Sequence, residues 1–153
     1  MDLKKIFATD ERREIEGTWI PLPDPAGKAR IKVARYGNPN FVRAIDEATR
    51  NYRQAGRGIV KIPEEMARKI LIETLASTVL LDWENIDDEG KPVPYSRENA
   101  EAMLEKYKDF RDFVSSCSTN FELYHVEAME EGAKNLEDFL PGEHDGPSKA
   151  KNG

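Results

Sequence analysis

A single cysteine, Cys117, in 153 residues rules out a disulfide within the chain and leaves an oxidising compartment nothing to stabilise. Histidine is almost as scarce. Only His125 and His144 are present, which leaves little material for proton transfer or for activating a nucleophile. Nowhere does an apolar run approach the ~18 residues of a membrane span. Nor does the beginning, Met1-Asp2-Leu3-Lys4-Lys5 followed by Thr9-Asp10-Glu11-Arg12-Arg13, contain the hydrophobic core of a secretory signal. A soluble protein that stays in a reducing cytoplasm is the expectation.

What is abundant is charge. The net −6 is unevenly spread: residues 1–57 sum to +4 and residues 58–153 to −10. An acidic whole repels nucleic acid phosphates and anionic membranes, so neither is an expected partner, with Arg30, Lys32, Arg35 and Arg43 as the only local counter-signal. Protein partners with basic or hydrophobic surfaces fit better.

The length suits one domain. Residues 1–16 are polar, with little pattern beyond Leu3, Ile6 and Phe7. Thr18-Trp19-Ile20-Pro21-Leu22 and Ala29-Arg30-Ile31-Lys32-Val33-Ala34 read as strands joined by the turn chemistry of Pro23-Asp24-Pro25-Ala26-Gly27, a hairpin within 17–35. Gly37-Asn38-Pro39-Asn40 stops the second strand, and Asn40 is expected to cap a helix from Phe41 to about Arg53 with Phe41, Ile45, Ala48 and Tyr52 as its apolar stripe. A linker at 54–58 breaks it. Pro63, Glu64 and Glu65 then open a helix expected to run to Leu81, apolar nearly all round in its second half and so central to the core. Ser96 caps a third helix carrying Ala100, Met103, Leu104 and Tyr107. A fourth, from Asp109 to about Ala133, carries Phe110, Phe113, Val114, Cys117, Phe121 and Tyr124. Residues 135–140 add at most one more turn, and 141–153, rich in Pro, Gly and charge, are expected to be a disordered tail. The predicted fold class is therefore mainly α: a single domain over 17–140, built as a bundle of about four helices within 41–133 with a short N-terminal β-hairpin.

Chemistry-bearing constellations are weak. Asp82, Glu84, Asp87, Asp88 and Glu89 form an acidic turn, and hard cations favour such oxygens. Aligned as a calcium loop, however, its twelfth position is Ser96 where a bidentate Glu is required, and Pro92 and Pro94 interrupt it, so no metal site is assigned. Cys117 falls on the apolar stripe of its helix. His125 lies two turns further on, about 12 Å along a helix axis, and the two form no catalytic pair. Gly56-Arg57-Gly58 lacks the rest of a phosphate-binding loop. No catalytic residue and no cofactor follow from the sequence.

Three ordered blocks carry a resemblance. They are Gly17-Thr18-Trp19-Ile20 with Ala29–Arg35 and Gly37-Asn38-Pro39; the central helix flowing into Val79-Leu80-Leu81-Asp82-Trp83-Glu84-Asn85-Ile86; and Asp88-Glu89-Gly90-Lys91-Pro92-Val93-Pro94-Tyr95-Ser96 leading to Asn99-Ala100 and the Tyr107–Phe113 region. Together they resemble the tail assembly chaperones of long-tailed bacteriophages. The resemblance implies a non-enzymatic protein of the host cytoplasm that binds the tape measure protein, keeps its hydrophobic helical segments soluble, helps recruit tail tube subunits and is absent from the finished virion.

Contact residues are expected from chemistry instead: Trp83 and Tyr95, which flank the acidic turn, with Phe139 and Leu140 near the end, all aromatic or apolar beside acidic segments. An exposed apolar groove also predicts self-association when the partner is missing. The alternatives are an acidic phage- or prophage-encoded adaptor or inhibitor acting by protein–protein binding and, from a different class, a small metal-dependent enzyme using the Asp82–Glu89 cluster.

Overall fold

The computed structural model describes residues 1–54, 58–59 and 61–126. Its first sixteen residues, patternless on paper, form two short capped helices, α1 (Leu3–Phe7) and α2 (Glu11–Glu16). The Asp2 carboxylate accepts the Lys4 N–H, and that of Asp10 accepts those of Arg12 and Arg13, which satisfies donors that a helix start leaves orphaned. Gly17 ends α2 at φ +88, where a Cβ would lie 3.1 Å from the Val33 carbonyl carbon. Only glycine fits both conditions.

Strands β1 (Thr18–Pro21) and β2 (Arg30–Val33) form the antiparallel hairpin, with Thr18 opposite Val33 and Pro21 opposite Arg30. The hairpin is not left alone. On the other side of β2 lies β5 (Leu80–Glu84), giving a three-stranded sheet in the order β1-β2-β5. The helix expected to reach Leu81 therefore stops at Thr78: α4 spans Glu64–Thr78. Its last carbonyls are taken by tertiary partners, the Asn38 side chain donating to Thr78 O at 3.0 Å and the Ala34 N–H to Val79 O at 2.8 Å. A bulge shifts the register so that Lys32 faces Asp82 but Val33 faces Leu80. Skipping Leu81 turns Leu80 and Trp83 to the same, buried side.

Helix α3 spans Pro39–Thr49, two residues earlier than expected, because Asn38 and not Asn40 is its cap, accepting the N–H groups of Asn40 and Phe41 at 2.8 and 3.0 Å with Pro39 at the tolerant first position. A 3-10 turn at Arg50–Tyr52 follows, and the stretch read as a linker contributes the short pair β3 (Arg53–Gln54) and β4 (Gly58–Ile59). The acidic turn is itself a tight hairpin, β6 (Asp87–Asp88) against β7 (Lys91–Pro92). Glu89 and Gly90, at φ +51 and +81, supply the two left-handed residues that such a connection needs.

Helix α5 (Arg97–Lys106) starts where expected, the Ser96 hydroxyl accepting the Asn99 N–H at 3.0 Å. Helix α6 spans only Lys108–Thr119. It does not continue through 120–126: Ser118 and Thr119 hydroxyls bond back to the Ser115 carbonyl, and Asn120 caps a separate 3-10 turn, Phe121–Tyr124. The remainder of the expected fourth helix and the expected tail lie outside the described residues.

Helices α3 to α6 pack on the inner side of the sheet, and Ile31, Val33, Leu80 and Trp83 join Phe41, Ile72, Leu75, Ala100, Leu104 and Val114 in one core. Full burial of each large aliphatic side chain contributes about 1.5–3 kcal/mol. The four-helix bundle with an appended hairpin is thus overturned: the fold is six helices around a three-stranded antiparallel sheet, with two further short strand pairs, among the described residues.

Candidate functional site

Trp83 and Tyr95, the expected contact residues flanking the acidic turn, face each other at the edge of the core, Trp83 buried and Tyr95 half-buried. Trp83 is 4% exposed, its indole N–H donating to Val93 O at 2.7 Å, and its ring meets Tyr95 edge-on with centroids 5.2 Å apart. The Tyr95 hydroxyl donates to Leu80 O at 2.7 Å, and burial, reinforced by the nearby Asp82 charge, raises its pKa above the ordinary phenol value. The pair anchors both ends of the acidic hairpin to the core. Phe139 and Leu140 lie outside the described residues.

Three of the acidic side chains, Glu84, Asp88 and Glu89, are engaged by the protein's own cations. Lys106 Nζ lies 2.8 Å from Asp88 and 2.7 Å from Glu89, and the Tyr107 hydroxyl donates to Asp88. The Lys106 hydrogen bond, then that from Tyr107, pulls the Asp88 pKa down, while Asp88 and Glu89 push that of Lys106 up. At the other end, Arg30 bonds Glu84 at 2.8 Å across the strand pair and lowers its pKa, while its guanidinium lies 4.2 Å above the Trp19 ring. Among the described residues no group of three His, Cys, Asp or Glu side chains is placed to hold a metal ion. Burial pushes the Cys117 thiol up to about 11, well away from a reactive thiolate.

A different surface has the character of a contact site. Leu3, Ile6, Phe7, Phe121 and Val126 are 40–62% exposed. In α1 the spacing of Leu3, Ile6 and Phe7 places all three on one face. Phe7 approaches Phe121 at 6.2 Å between centroids, and His125 lies 4.7 Å from the Phe121 ring. Backbone bonds fix the two chain segments together: Asp10 N–H to Tyr124 O at 2.9 Å and Val126 N–H to Ala8 O at 3.1 Å. The result is an apolar row, spanning the N-terminal helix and the 3-10 turn after α6, with Lys4 and Lys5 beside it. Sequence reasoning noticed Leu3, Ile6 and Phe7 without assigning them a role. Their helical spacing and the capping Asp2 were the available signal; the arrival of Phe121 was not.

A shallow groove of about 350 Å³ lies between α4 and α5, lined by Glu65, Met66, Arg68, Lys69 and Glu105. All of its lining residues but Met66 are of charged type. Among the described residues no helix is long and apolar enough to cross a membrane.

Residues 36–135, from the loop before α3 past the end of the described fold, match the YdaY prophage protein family. No curated protein and no solved structure matches the chain. Because the match spans well over half of the sequence and runs through α3, α4, β5, the acidic hairpin, α5 and α6, this chain belongs to the YdaY prophage protein family and is a phage- or prophage-encoded protein.

Proposed function

We propose that this protein is a tail assembly chaperone of the host cytoplasm, which binds apolar helical segments of the tape measure protein, keeps them soluble and helps recruit tail tube subunits. The observation that carries the proposal is the exposed row of Leu3, Ile6, Phe7, Phe121 and Val126 on a protein of a prophage family. An amphipathic helix binds by laying its apolar face against such a row, and each large side chain it covers contributes up to about 1.5–3 kcal/mol. The reading supposes no bond making or breaking, and the net charge of −6 opposes aggregation of the loaded complex. The ordered blocks that resemble tail assembly chaperones, from Gly17 to Phe113, support the same reading.

Co-expression with the tape measure protein of the same phage tests it. Rescue of the tape measure protein into the soluble fraction, with stable co-elution of the two chains, is the expected result. Absence of both would sink the chaperone reading and favour an acidic adaptor or inhibitor with another protein target.

A further inference from the structure

The apolar row is bordered by positive charge along α1. Lys4 and Lys5 are exposed beside Leu3, Ile6 and Phe7, and neither bridges to a carboxylate among the described residues, whereas the exposed cations Arg12, Lys106 and Lys108 each do. Asp2 stands before the helix, its carboxylate held by the Lys4 N–H at 3.0 Å. We propose that the row selects its client by charge as well as by apolarity: the segment it takes is an amphipathic helix whose apolar stripe is bordered by acidic residues on the flank laid along α1. The identity of that client as a tape measure segment rests on the chaperone reading; the preference for acidic flanks rests on the surface itself.

Range decides which charges count. At physiological ionic strength a field falls off over about 8 Å, so the surplus of acidic residues spread over 58–153 is largely screened from a helix lying on the row, while side chains that border the row touch it. Within the two segments that build the row, 3–7 and 121–126, the ammonium and carboxylate side chains are Lys4, Lys5 and Glu122, the last exposed on the 3-10 turn. The row is therefore polarised, basic along α1 and acidic beside Phe121, which gives a bound helix a preferred orientation. Exposed ion pairs are individually weak, and two of them shift affinity by about threefold to tenfold. Apolar contact supplies the affinity and the lysines supply the selection. An acid-flanked client also leaves the loaded complex more negative than the −6 of this chain, away from the neutral point at which proteins associate. Lysines beside leucine and phenylalanine suit an anionic lipid surface as well, but α1 offers only five residues to bury in one and the chain as a whole is negative.

Fluorescence anisotropy on the full chain tests the preference with a labelled synthetic amphipathic helix that has a leucine stripe and glutamate, glutamine or lysine at the positions bordering it. The glutamate peptide is expected to bind about threefold to tenfold more tightly than the lysine peptide, with glutamine between them, and the gap should close in high salt. Lys4→Glu, Lys5→Glu should reverse the order and Lys4→Gln, Lys5→Gln should abolish it; both side chains are exposed, so melts by circular dichroism should match the natural chain. Phe7→Ser, which removes apolar contact without adding charge, should weaken all three peptides. Absence of binding by any peptide, equal affinities in the natural chain, an order that the lysine variants leave in place, or binding untouched by Phe7→Ser would each overturn the proposal. Two further arms address other occupants. Vesicles of anionic phosphatidylglycerol that bind the natural chain while no peptide does would assign the row to a lipid surface, and a dimer seen by light scattering that Phe7→Ser abolishes and no peptide dissociates would assign it to a second copy; either overturns the proposal. Co-expression reads the chaperone function separately: tape measure protein rescued without any peptide preference keeps that function and removes the charge selection, and preference without rescue does the reverse.

Discussion

The hydroxyl of Tyr124, at the end of the described chain, donates to the carbonyl of Val33 in the middle strand at 3.0 Å, and neither residue is exposed to solvent. This bond joins the segment after α6 to the sheet, and with it the platform on which Phe121 and Phe7 meet. Tyr124→Phe leaves the Val33 carbonyl without that partner in a dry site, which costs about 1–3 kcal/mol. Urea unfolding with an unchanged slope and a lower midpoint is the expected reading.

The same residue gives an alkaline limb to stability. Burial raises the pKa of Tyr124 above the ordinary phenol value of 10.0 and that of Cys117 from 9.0 to about 11. In the unfolded chain both groups lose their protons first, so above about pH 9 the folded state binds more protons and stability falls as pH rises. Thermal melts between pH 8 and 11 in Tyr124→Phe should show a shallower decline than in the natural chain. Parallel declines would exclude Tyr124 as a source.

Replacing Trp83 separates the core from the contact surface. Trp83→Ala removes a buried indole and leaves the Val93 carbonyl unpaired, at a cost of about 3–5 kcal/mol. Trp83→Phe keeps most of the volume and loses chiefly the hydrogen bond, so its destabilisation is smaller. On the proposed chaperone reading, the folded fraction of either variant should bind tape measure protein undiminished. Selective loss of retention by stably folded Trp83→Phe would return this residue to the contact surface.

Asn38 has two structural tasks at 4% exposure: its amide oxygen caps α3 and its amide nitrogen donates to the carbonyls of Arg35 and Thr78. Asn38→Asp keeps the cap but loses the donor, whereas Asn38→Ala loses both. The alanine variant is expected to lose about 1–3 kcal/mol, and the aspartate variant should also be weakened because a carboxylate cannot satisfy the Thr78 carbonyl. Calorimetric melts of the two check it, and an aspartate variant as stable as the natural chain would show that the Thr78 contact contributes nothing.

Phe7→Asp and Phe121→Asp address the apolar row. Both side chains are at least 40% exposed, so each change should leave stability within about 1 kcal/mol and, on the proposed chaperone reading, should remove much of the tape measure protein that co-purifies. Unchanged retention in both would place the client elsewhere on the molecule.

Local chemistry was legible in residues that act on their near neighbours. Ser96 and Pro63-Glu64 mark helix starts through the first-turn N–H groups, and the turn residues between Ile20 and Arg30 bring β1 and β2 together. The third strand was hidden for a physical reason: the bulge at Leu81 puts the buried Leu80 and Trp83 three residues apart, which copies the spacing of a helix face. The start of α3 and the end of α6 were misplaced because Asn38 caps the one, and side-chain bonds by Ser118 and Asn120 compete with continuation of the other.

The sequence by itself determined that the chain is acidic, that it has no internal disulfide and where α4 and α5 begin, since composition and first-turn residues act within a few residues. Only the tertiary structure decided that Trp83 is buried with Tyr95 packed edge-on against it and that Phe7 meets Phe121. Those placements arise from contacts between segments far apart in the chain, where β2 supplies β5 with a pairing edge and the backbone at Tyr124 and Val126 draws in the N-terminal helices.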